Sequence, residues 1–157
     1  MKIDIADLDF ACSYAKRIKP EAVRFHSRDK ILYMFFRNGP VLLGVQTAQI
    51  GSEAIDVTVD ATVFMTSVGA LPKSAKDVDM RFTSSAVTMT QGKNVVDFKA
   101  QGEADELVNG IDDIFKMKGT PLDIAEDIAD SWPHFALLRD ANFGWQFAYD
   151  PHGYAVA

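Results

Sequence analysis

The sequence lacks the residues and motifs on which several classes of protein depend. Its 157 residues contain a single cysteine, Cys12, which excludes an internal disulfide framework and indicates a reducing compartment. No apolar run approaches the roughly 20 residues that a membrane-spanning helix requires. The N-terminal stretch MKIDIADLDF alternates charged and hydrophobic residues, which is atypical of a signal or transit peptide. These absences predict a soluble cytoplasmic protein that does not enter a membrane.

Patterns typical of catalytic and metal sites are also missing. Neither Gly-x-x-x-x-Gly-Lys nor Gly-x-Gly-x-x-Gly occurs, so no phosphate-binding loop is visible. The histidines, His26, His134 and His152, are scattered and lack the spacing of zinc ligands. The neighbouring carboxylates Asp112 and Asp113 have no histidine or nucleophile nearby that would complete an acid–base site. We therefore predict a non-enzyme with no catalytic residues, no metal site and no cofactor.

The composition is that of a folded, acidic domain. Hydrophobic residues make up 48% of the chain, which is enough for a real core and too much for a disordered protein. The length suits one ordinary domain, or one domain with part of a second. The net charge of −6 argues against a protein that coats nucleic acid over its whole surface. It does not exclude a local basic face.

The first half of the chain follows a β-α-β-β-β order. Residues 2–5 alternate with period two and predict a short strand. Asp7 is expected to cap the following helix, because its carboxylate can accept the free amide hydrogens of the first turn. Pro20 ends that helix. The three strands that follow are predicted at Ala22–Ser27, Lys30–Arg37 and Val41–Ala48.

The same order begins again at Ile55. Ile55–Val59 predicts a strand, Asp60 caps a helix in which Val63, Phe64 and Val68 share an apolar face, and Pro72 closes it. The next three strands are predicted at Val78–Thr83, Ala86–Thr90 and Val95–Lys99. Two tandem β-α-β-β-β units form an internal repeat, and two such units side by side could pack both helices against a common set of strands.

Beyond the repeat, the pattern predicts a linker and the start of a third unit. Residues 102–111 are acidic and flanked by glycine, as in a surface linker. The third unit comprises a strand, a helix that begins at Thr120-Pro121 and ends at Pro133, and further strands. Its strands are predicted at Asp113–Lys118, Phe143–Tyr149 and Tyr154–Ala157. We expect one domain at 1–101 and part of a second at 112–157.

Two stretches carry a resemblance to a known family. Residues 59–100, VDATVFMTSVGALPKSAKDVDMRFTSSAVTMTQGKNVVDFKA, run from a strand through a helix with a Leu-Pro stop into a strand and a hairpin. This stretch resembles a domain of the DNA sliding clamp family, of the bacterial beta-clamp type. Residues 145–157, WQFAYDPHGYAVA, are similar to the clamp segment that precedes a Thr-Asp pair, which this chain does not reach. The resemblance implies an α+β fold in which the helices of tandem units pack on antiparallel sheets, and it leaves a phage-encoded version open.

The resemblance also implies a function and a set of partners. Sliding clamps encircle duplex DNA and tether the polymerase without chemistry of their own, and the helices that line the hole contact phosphates independently of sequence. The implied partners are duplex DNA, DNA polymerase, a clamp loader and, in the full-length form, further copies of the chain. The candidate DNA-binding residues are the cations near the helix ends: Lys16, Arg17, Lys19, Lys73 and Lys76.

Two alternatives stay open on the sequence. Cations at helix ends also interact favourably with the helix dipole, which would explain them without DNA. The third helix carries Asp123, Glu126, Asp127 and Asp130 and is acidic, whereas a helix that faces DNA should be cationic. The chain could therefore be a clamp-fold fragment or interaction module that binds another replication protein without encircling DNA. Arg24, Lys30 and Arg81 lie in strand regions and are weaker DNA-binding candidates.

Overall fold

A computed structural model describes most of the chain. It covers the backbone of residues 1–38, 41–101, 134–140, 144–150 and 154–156, and the side chains of residues 1–38 and 43–101. The predicted linker 102–111, the predicted strand Asp113–Lys118 and the predicted third helix lie outside the described residues.

The elements follow the predicted order through both units. The first unit comprises β1 (Lys2–Asp4), α1 (Ile5–Ala15), a 3-10 turn (Lys16–Ile18), β2 (Ala22–Arg28), β3 (Ile31–Asn38) and β4 (Val41–Gln49). The second comprises β5 (Asp56–Asp60), α2 (Ala61–Gly69), β6 (Asp77–Phe82), β7 (Ala86–Gln91) and β8 (Asn94–Lys99). Three later strands are β9 (His134–Asp140), β10 (Gly144–Asp150) and β11 (Tyr154–Val156). Each strand predicted within residues 1–100 is present, with ends shifted by no more than one residue.

The strands form two antiparallel sheets, and the α+β class is confirmed. One sheet has four strands in the order β1-β6-β7-β8, and the other has seven in the order β11-β10-β9-β4-β3-β2-β5. The first strand of each unit is exchanged into the other unit's sheet: β1 pairs with β6, and β5 pairs with β2. From the sequence we expected both helices to pack against one common set of strands. The structure instead has two sheets, and each contains strands from both units.

The exchange is repeated at the start of each helix. The amide of Ile5, the first residue of α1, donates to the carbonyl of Lys76 at 2.9 Å, just before β6. The amide of Ala61, the first residue of α2, donates to the carbonyl of Glu21 at 3.1 Å, just before β2. Each of these bonds satisfies a helix N–H that has no partner within its own helix. Each helix therefore begins on the sheet of the other unit.

The cap of α1 differs from the prediction. Asp4 is the N-cap, because its carboxylate accepts the amide hydrogen of Ala6 at 2.8 Å. Asp7 lies inside the first turn of the helix, so its assignment as the cap was wrong. The alternation of residues 2–5 suggested a strand through Ile5, but Ile5 is already helical and buried. The prediction for Asp60 is confirmed, since its carboxylate accepts the amide hydrogen of Val63 at 2.9 Å.

One described strand was not predicted. His134–Asp140 (HFALLRD) forms β9, which pairs with β4, with Leu138 opposite Leu43. This segment has no β-branched residue and few features that favour a strand on intrinsic propensity. The backbone of His134 begins β9. The backbone hydrogen bonds to β4 stabilise this strand, although its local sequence does not favour one.

The core lies between the sheets and the inner faces of both helices. Leu8, Ala11, Cys12 and Ala15 of α1 are buried, and burial raises the pKa of the Cys12 thiol to about 12. In α2, Phe64 is fully buried, whereas Val63 is 54% exposed, so its assignment to the apolar face was wrong. Val63 precedes Phe64 by one helical position, about 100° around the axis, and the inner face is too narrow to include both.

Phe64 connects the two sheets. Its ring lies 5.1 Å from that of Phe25 on β2 and 5.4 Å from that of Phe98 on β8, both in edge-to-face geometry. Phe25 in turn lies 5.2 Å from Phe82 on β6. Edge-to-face pairs at these distances add stability beyond the area that they bury. This aromatic cluster fixes the position of α2 between the sheets.

Candidate nucleic-acid interface

The five predicted DNA-binding residues fall at two places around the helices. Lys16 and Arg17 lie in the 3-10 turn that continues α1, and Lys19 follows it in the left-handed conformation, with φ 50° and ψ 62°. Lys73 and Lys76 lie in the segment between α2 and β6. All five side chains are exposed. The hydrogen bonds that start each helix place the first group beside the start of α2 and the second beside the start of α1.

A groove brings two of these cations together with α2. Lys16 and Lys19 form one side of it. The groove has a volume of about 460 Å³, and its remaining lining residues are Pro20, Thr62, Met65, Thr66 and Gly69. The hydroxyl of Thr66 donates to the carbonyl of Thr62 at 2.8 Å and keeps its oxygen lone pairs. The groove thus sets two ammonium groups against a helix surface of short side chains.

Arg17 is held differently from the two lysines. The carbon of its guanidinium lies 4.9 Å from the centroid of the Tyr14 ring, in cation–π geometry. Tyr14 is itself buried at the end of α1. The guanidinium of Arg17 therefore lies against the Tyr14 ring of α1, and Arg17 is not among the residues that line the groove.

Lys73 and Lys76 are separate from that groove. Lys73 follows Pro72, which lines a second groove of about 490 Å³ between the end of α2 and the β7–β8 hairpin. The carbonyl of Lys76 accepts the first amide hydrogen of α1, so its backbone lies at the positive end of that helix dipole. The dipole accounts for cations after the end of α1. It does not account for Lys76 at the start.

Four cations of the strands are paired with acids: Lys2, Arg24, Arg28 and Arg37. Arg24 binds Asp56 through two nitrogens, at 2.6 Å from Nε and 2.7 Å from Nη2. Further ion pairs join Arg37 to Glu21 at 3.7 Å, Arg28 to Asp29 at 3.9 Å and Lys2 to Asp77 at 3.7 Å. The charge of Arg24, one of the weaker candidates, is thereby neutralised by a carboxylate.

The lysines near the helix ends are not paired in this way. Among the side chains that the structure describes, no carboxylate lies within 4.0 Å of the ammonium groups of Lys16, Lys19, Lys73 or Lys76. The same holds for Lys30, Lys93 and Lys99 on the hairpins and β8, so an unpaired charge is not confined to the helices. What distinguishes Lys16 and Lys19 is the groove that they share with α2.

The outward face of the helices has short side chains and few acids. Its exposed residues in α1 and α2 are Ala6, Asp9, Ser13, Thr62, Val63, Thr66 and Gly69. Asp9 is the one carboxylate among them. A surface of this kind allows a phosphate backbone to approach the helices closely. Such a surface could bind a ligand through its charge and shape, and it holds no group arranged for catalysis among these residues.

Two other kinds of site are missing from the described part of the chain. Within residues 1–38 and 43–101, no three or more His, Cys, Asp or Glu side chains are grouped so that they could hold a metal ion. In the same part of the chain, no helix has both the length and the apolar composition needed to cross a membrane.

Comparison with known proteins shows the fold. No protein-family model and no curated protein sequence matches the chain. The Helicobacter pylori beta clamp bound to a DNA ligase peptide matches 68% of this chain and 32% of its own, with a TM-score of 0.56 and 16% identity. The DNA polymerase III subunit beta from Pseudomonas aeruginosa matches 67% of this chain and 31% of its own, with a TM-score of 0.57 and 15% identity. The H. pylori beta clamp in complex with carprofen covers 78% of this chain and 32% of its own, with a TM-score of 0.53 and 13% identity.

The chain thus has the fold of bacterial beta clamps, as its sequence predicted, and it spans about a third of the length of each matched protein. Sequence reasoning missed the α2 side of the groove. Thr62, Met65, Thr66 and Gly69 recur at helical spacing, with Met65 half-buried against the core and the other three exposed, and that spacing was visible in the sequence. Positive charge alone does not indicate these residues. Contact of the five cations with DNA stays a prediction.

Proposed function

We propose that this chain is a sliding-clamp-like DNA polymerase processivity factor, which encircles duplex DNA and tethers the polymerase without chemistry of its own. The observation that carries the proposal is the groove in which Lys16 and Lys19 stand, without carboxylate partners among the described side chains, beside the outward face of α2. That groove lies on a fold of the beta-clamp kind. Lys73, Lys76 and Arg17 extend the cationic surface around the helices.

The chemistry of these cations suits contacts that slide. Four of the five are lysines, whose ammonium groups act as mobile point charges and impose no fixed bidentate geometry on a phosphate. A lysine can exchange one phosphate for the next at little cost. Each phosphate that is neutralised releases counterions, so binding should weaken steeply with salt and be indifferent to sequence.

The distribution of acidic residues also supports a duplex that approaches the helices rather than the sheets. The exposed carboxylates of Asp79 and Asp97 lie on β6 and β8 of the four-stranded sheet. The chain as a whole has a net charge of −6, so most of its surface repels DNA. A duplex would therefore be directed to the helices rather than to the sheets.

The proposed organisation follows from the same fold. Residues 1–101 would form one clamp-like domain, 102–111 a linker and 112–157 part of a second domain. The chain spans about a third of the length of the matched proteins. The proposed partners are duplex DNA, a DNA polymerase, a clamp loader and, in the full-length form, further copies of the chain, in the cytoplasm.

Charge reversal tests the assigned face. We expect Lys16→Glu with Lys19→Glu to weaken binding to duplex DNA and to lower the slope of log K against log salt by about 0.9 for each phosphate that is no longer neutralised. The matched control is Lys93→Glu with Lys99→Glu, which changes the charge equally on the β7–β8 hairpin. Fluorescence anisotropy over a salt series measures both. If DNA binding weakened equally in the two variants, the groove would not be part of the DNA interface.

Adding Arg17→Glu, Lys73→Glu and Lys76→Glu tests the rest of the surface. Each addition should lower the salt slope further if that residue meets a phosphate. Encirclement needs a separate test, retention on DNA of different topology. We expect the protein to stay on closed circular duplex in high salt and to dissociate after the circle is linearised. Equal dissociation from both forms would contradict encirclement while leaving the charge assignments standing.

A second candidate function is a clamp-fold module that binds another replication protein without encircling DNA. The acidic stretch that contains Asp123, Glu126, Asp127 and Asp130 favours it. Size-exclusion chromatography with light scattering separates the candidates. A ring-sized oligomer favours the clamp, and a monomer that does not bind DNA favours the module.

A further inference from the structure

The seven-stranded sheet has a second face, which is turned away from the helices. Arg24 of β2 is opposite Phe35 of β3, and His26 is opposite Tyr33, and residues paired in this way lie on the same face of a sheet. The residue between Arg24 and His26 is Phe25, whose ring contacts α2. Because successive residues of a strand point to opposite faces, the two pairs lie on the side away from the core. We call this side the outer face.

The side chains of the outer face are poorly exposed. Those of Arg24 and His26 are 15% and 19% exposed, and that of Arg37, two residues along β3 from Phe35, is 22% exposed. Phe35 is 1% exposed. Long side chains on an uncovered sheet face stay largely in water, since only their neighbours on the same sheet shield them. The low values therefore indicate a layer over the outer face as well as over the core face.

The ring of Phe35 fits closely against the sheet. Gly44 of β4 lies opposite it, and a Cβ at Gly44 would stand 2.6 Å from Cε1 of Phe35. The rings of Tyr33 and His26 lie 6.1 and 6.5 Å from the ring of Phe35. The glycine thus lets an aromatic ring settle against the backbone of β4. The result is an apolar surface on which a second layer can pack.

The described chain stops at one side of this sheet and resumes at the other. The amide of Gln101 donates to the carbonyl of Thr58 at 2.8 Å, so the chain ends beside β5, the last strand in the order of the sheet. It resumes at His134 in β9, on the far side of β4. Four strand spacings separate β5 from β9, about 19 Å. Both helices pack on the core face, so the outer face is the open route between these two points.

The predicted third helix has the length and the apolar residues for this route. A helix over residues 120–133 would be about 21 Å long. Ile124, Ile128 and Trp132 recur at helical spacing and would form an apolar stripe. Since Pro133 directly precedes β9, this helix would end at the β9 side of the sheet. It would then bring an apolar stripe to the surface around Phe35.

The charges are complementary as well. Arg28 and Arg37 lie on the outer face and are paired with Asp29 and Glu21 at 3.9 and 3.7 Å, beyond the distance of a hydrogen bond. Residues 120–133 contain four carboxylates and no lysine or arginine. An acidic segment is therefore attracted to the outer face, whereas a phosphate backbone would repel it.

We propose that residues 120–133 pack across the outer face of β2, β3 and β4 and form the layer that covers Phe35. The acidic segment then lies on the opposite side of the seven-stranded sheet from α1 and α2. Its carboxylates are held away from Lys16 and Lys19, and the arginines of the outer face are closed to DNA. The packing does not depend on the DNA contacts proposed above, and its tests use no DNA.

The first test places a nitroxide spin label on the segment and maps the amide signals that it broadens in the NMR spectrum of the full chain. Ala125→Cys supplies the attachment site. The Cys12 thiol, buried and with its pKa raised to about 12, stays unlabelled. We expect the amides of Arg24, Tyr33 and Phe35 to broaden most, because they lie under the proposed layer.

A second label and a control complete this test. Ser131→Cys repeats the measurement from another position, so the result does not rest on one variant, and wild-type protein treated with the label shows any reaction at Cys12. Broadening centred on Thr62 and Thr66 of α2 would place the segment on the helix side and overturn the proposal. Broadening without a centre would overturn it too.

The second test measures how far Trp132 is shielded from acrylamide. Trp145→Phe leaves Trp132 as the single tryptophan of the chain. We expect acrylamide to quench its fluorescence several-fold less in the folded protein than in urea. Adding Arg28→Glu with Arg37→Glu should raise the quenching, because the outer face then repels the acidic segment.

The matched control is the double charge reversal on the β7–β8 hairpin used above, which should leave the quenching unchanged. Circular dichroism checks that the variants are folded, and Arg28→Gln with Arg37→Gln replaces the glutamate pair if that variant unfolds. Quenching in the folded protein as strong as in urea overturns the proposal. Equal quenching in the outer-face and hairpin variants does the same.

Discussion

The two repeat units share one backbone plan but use their helices differently. In both, an aspartate ends the first strand and caps the helix, and the first helical amide bonds to the other unit's chain. The first helix buries small residues around Leu8 and ends in a cationic turn. The second buries the large ring of Phe64 and has no basic residue in its last turn. The first helix thus carries more charge, and the second contributes the large ring that packs against both sheets.

The comparison extends to the exchanged strands. The first strand, β1, is anchored by the Met1 ammonium, which bonds Asp79 at 2.9 Å and the carbonyl of Met80 at 2.7 Å. Its counterpart β5 is anchored by the bidentate pair of Arg24 with Asp56. Ionic contacts on β-strand neighbours therefore secure both exchanges, with different groups. Duplicated architecture does not require duplicated side chains.

The largest predicted effect is a loss of stability when the buried ring of α2 is removed. Phe64→Ala should lower the free energy of unfolding by about 3–5 kcal/mol, because it removes the ring that joins the two sheets and leaves a cavity. Urea denaturation measures the decrease. Val63→Ala, on the exposed side of the same helix, should change stability by less than about 0.5 kcal/mol. Similar decreases in the two variants would mean that α2 does not hold the sheets together.

A smaller effect tests whether the two units begin in the same way. Asp4→Ala and Asp60→Ala should each cost about 1 kcal/mol, since each removes a carboxylate that accepts an amide hydrogen of the first helical turn. Asp4→Asn and Asp60→Asn should retain most of the stability, because the asparagine oxygen also caps. Chemical denaturation of all four variants decides the matter. A clear cost at only one aspartate would break the equivalence of the units.

The smallest effect concerns the anchor of β1. The hydrogen bond from the Met1 ammonium holds the pKa of Asp79 below its usual value of 3.8. Stability from a lowered carboxylate pKa is present above the unfolded value and is lost as the pH falls through the folded one. The melting temperature of Asp79→Asn should therefore be slightly below that of the wild type at neutral pH and converge with it below pH 3.8.

Asp9→Asn, which replaces an exposed carboxylate of α1, is the control for this comparison. No ion pair of Asp9 is found among the described side chains, so its replacement should leave the difference from wild type nearly constant with pH. A gap between Asp79→Asn and wild type that persists in acid would mean that the ion pair does not anchor β1.

Much of the architecture was predictable because its signals are local. Alternation located the strands, aspartate and proline bounded the helices, and Gly92, with a φ of 61°, marked the β7–β8 turn. The errors lie where several residues could serve the same local role. Asp4 and Asp7 are both suitable caps, and only the position of Ile5 against Lys76 selects the first. Val63 and Phe64 are adjacent apolar residues, and only packing decides which one is buried.

The candidate site was predictable only in its cations. Lys16 and Lys19 stand out near a helix end, but the groove also needs Thr62, Met65 and Thr66, which come from the other unit. Residues distant in sequence meet there because each helix begins on the other unit's sheet. No local pattern encodes that meeting.

The sequence by itself determined the order of strands and helices within residues 1–100 and the duplicated unit, because these follow from hydrophobic periodicity and backbone chemistry within a few residues. The tertiary structure decided which sheet each first strand joins. Ile3 could bury its side chain on either sheet, and a strand edge bonds to any suitably placed neighbour. The exchange is selected by the packing of both helices at once, with Ile5 bonded to Lys76 and Ala61 to Glu21. That global arrangement creates the groove beside Lys16 and Lys19.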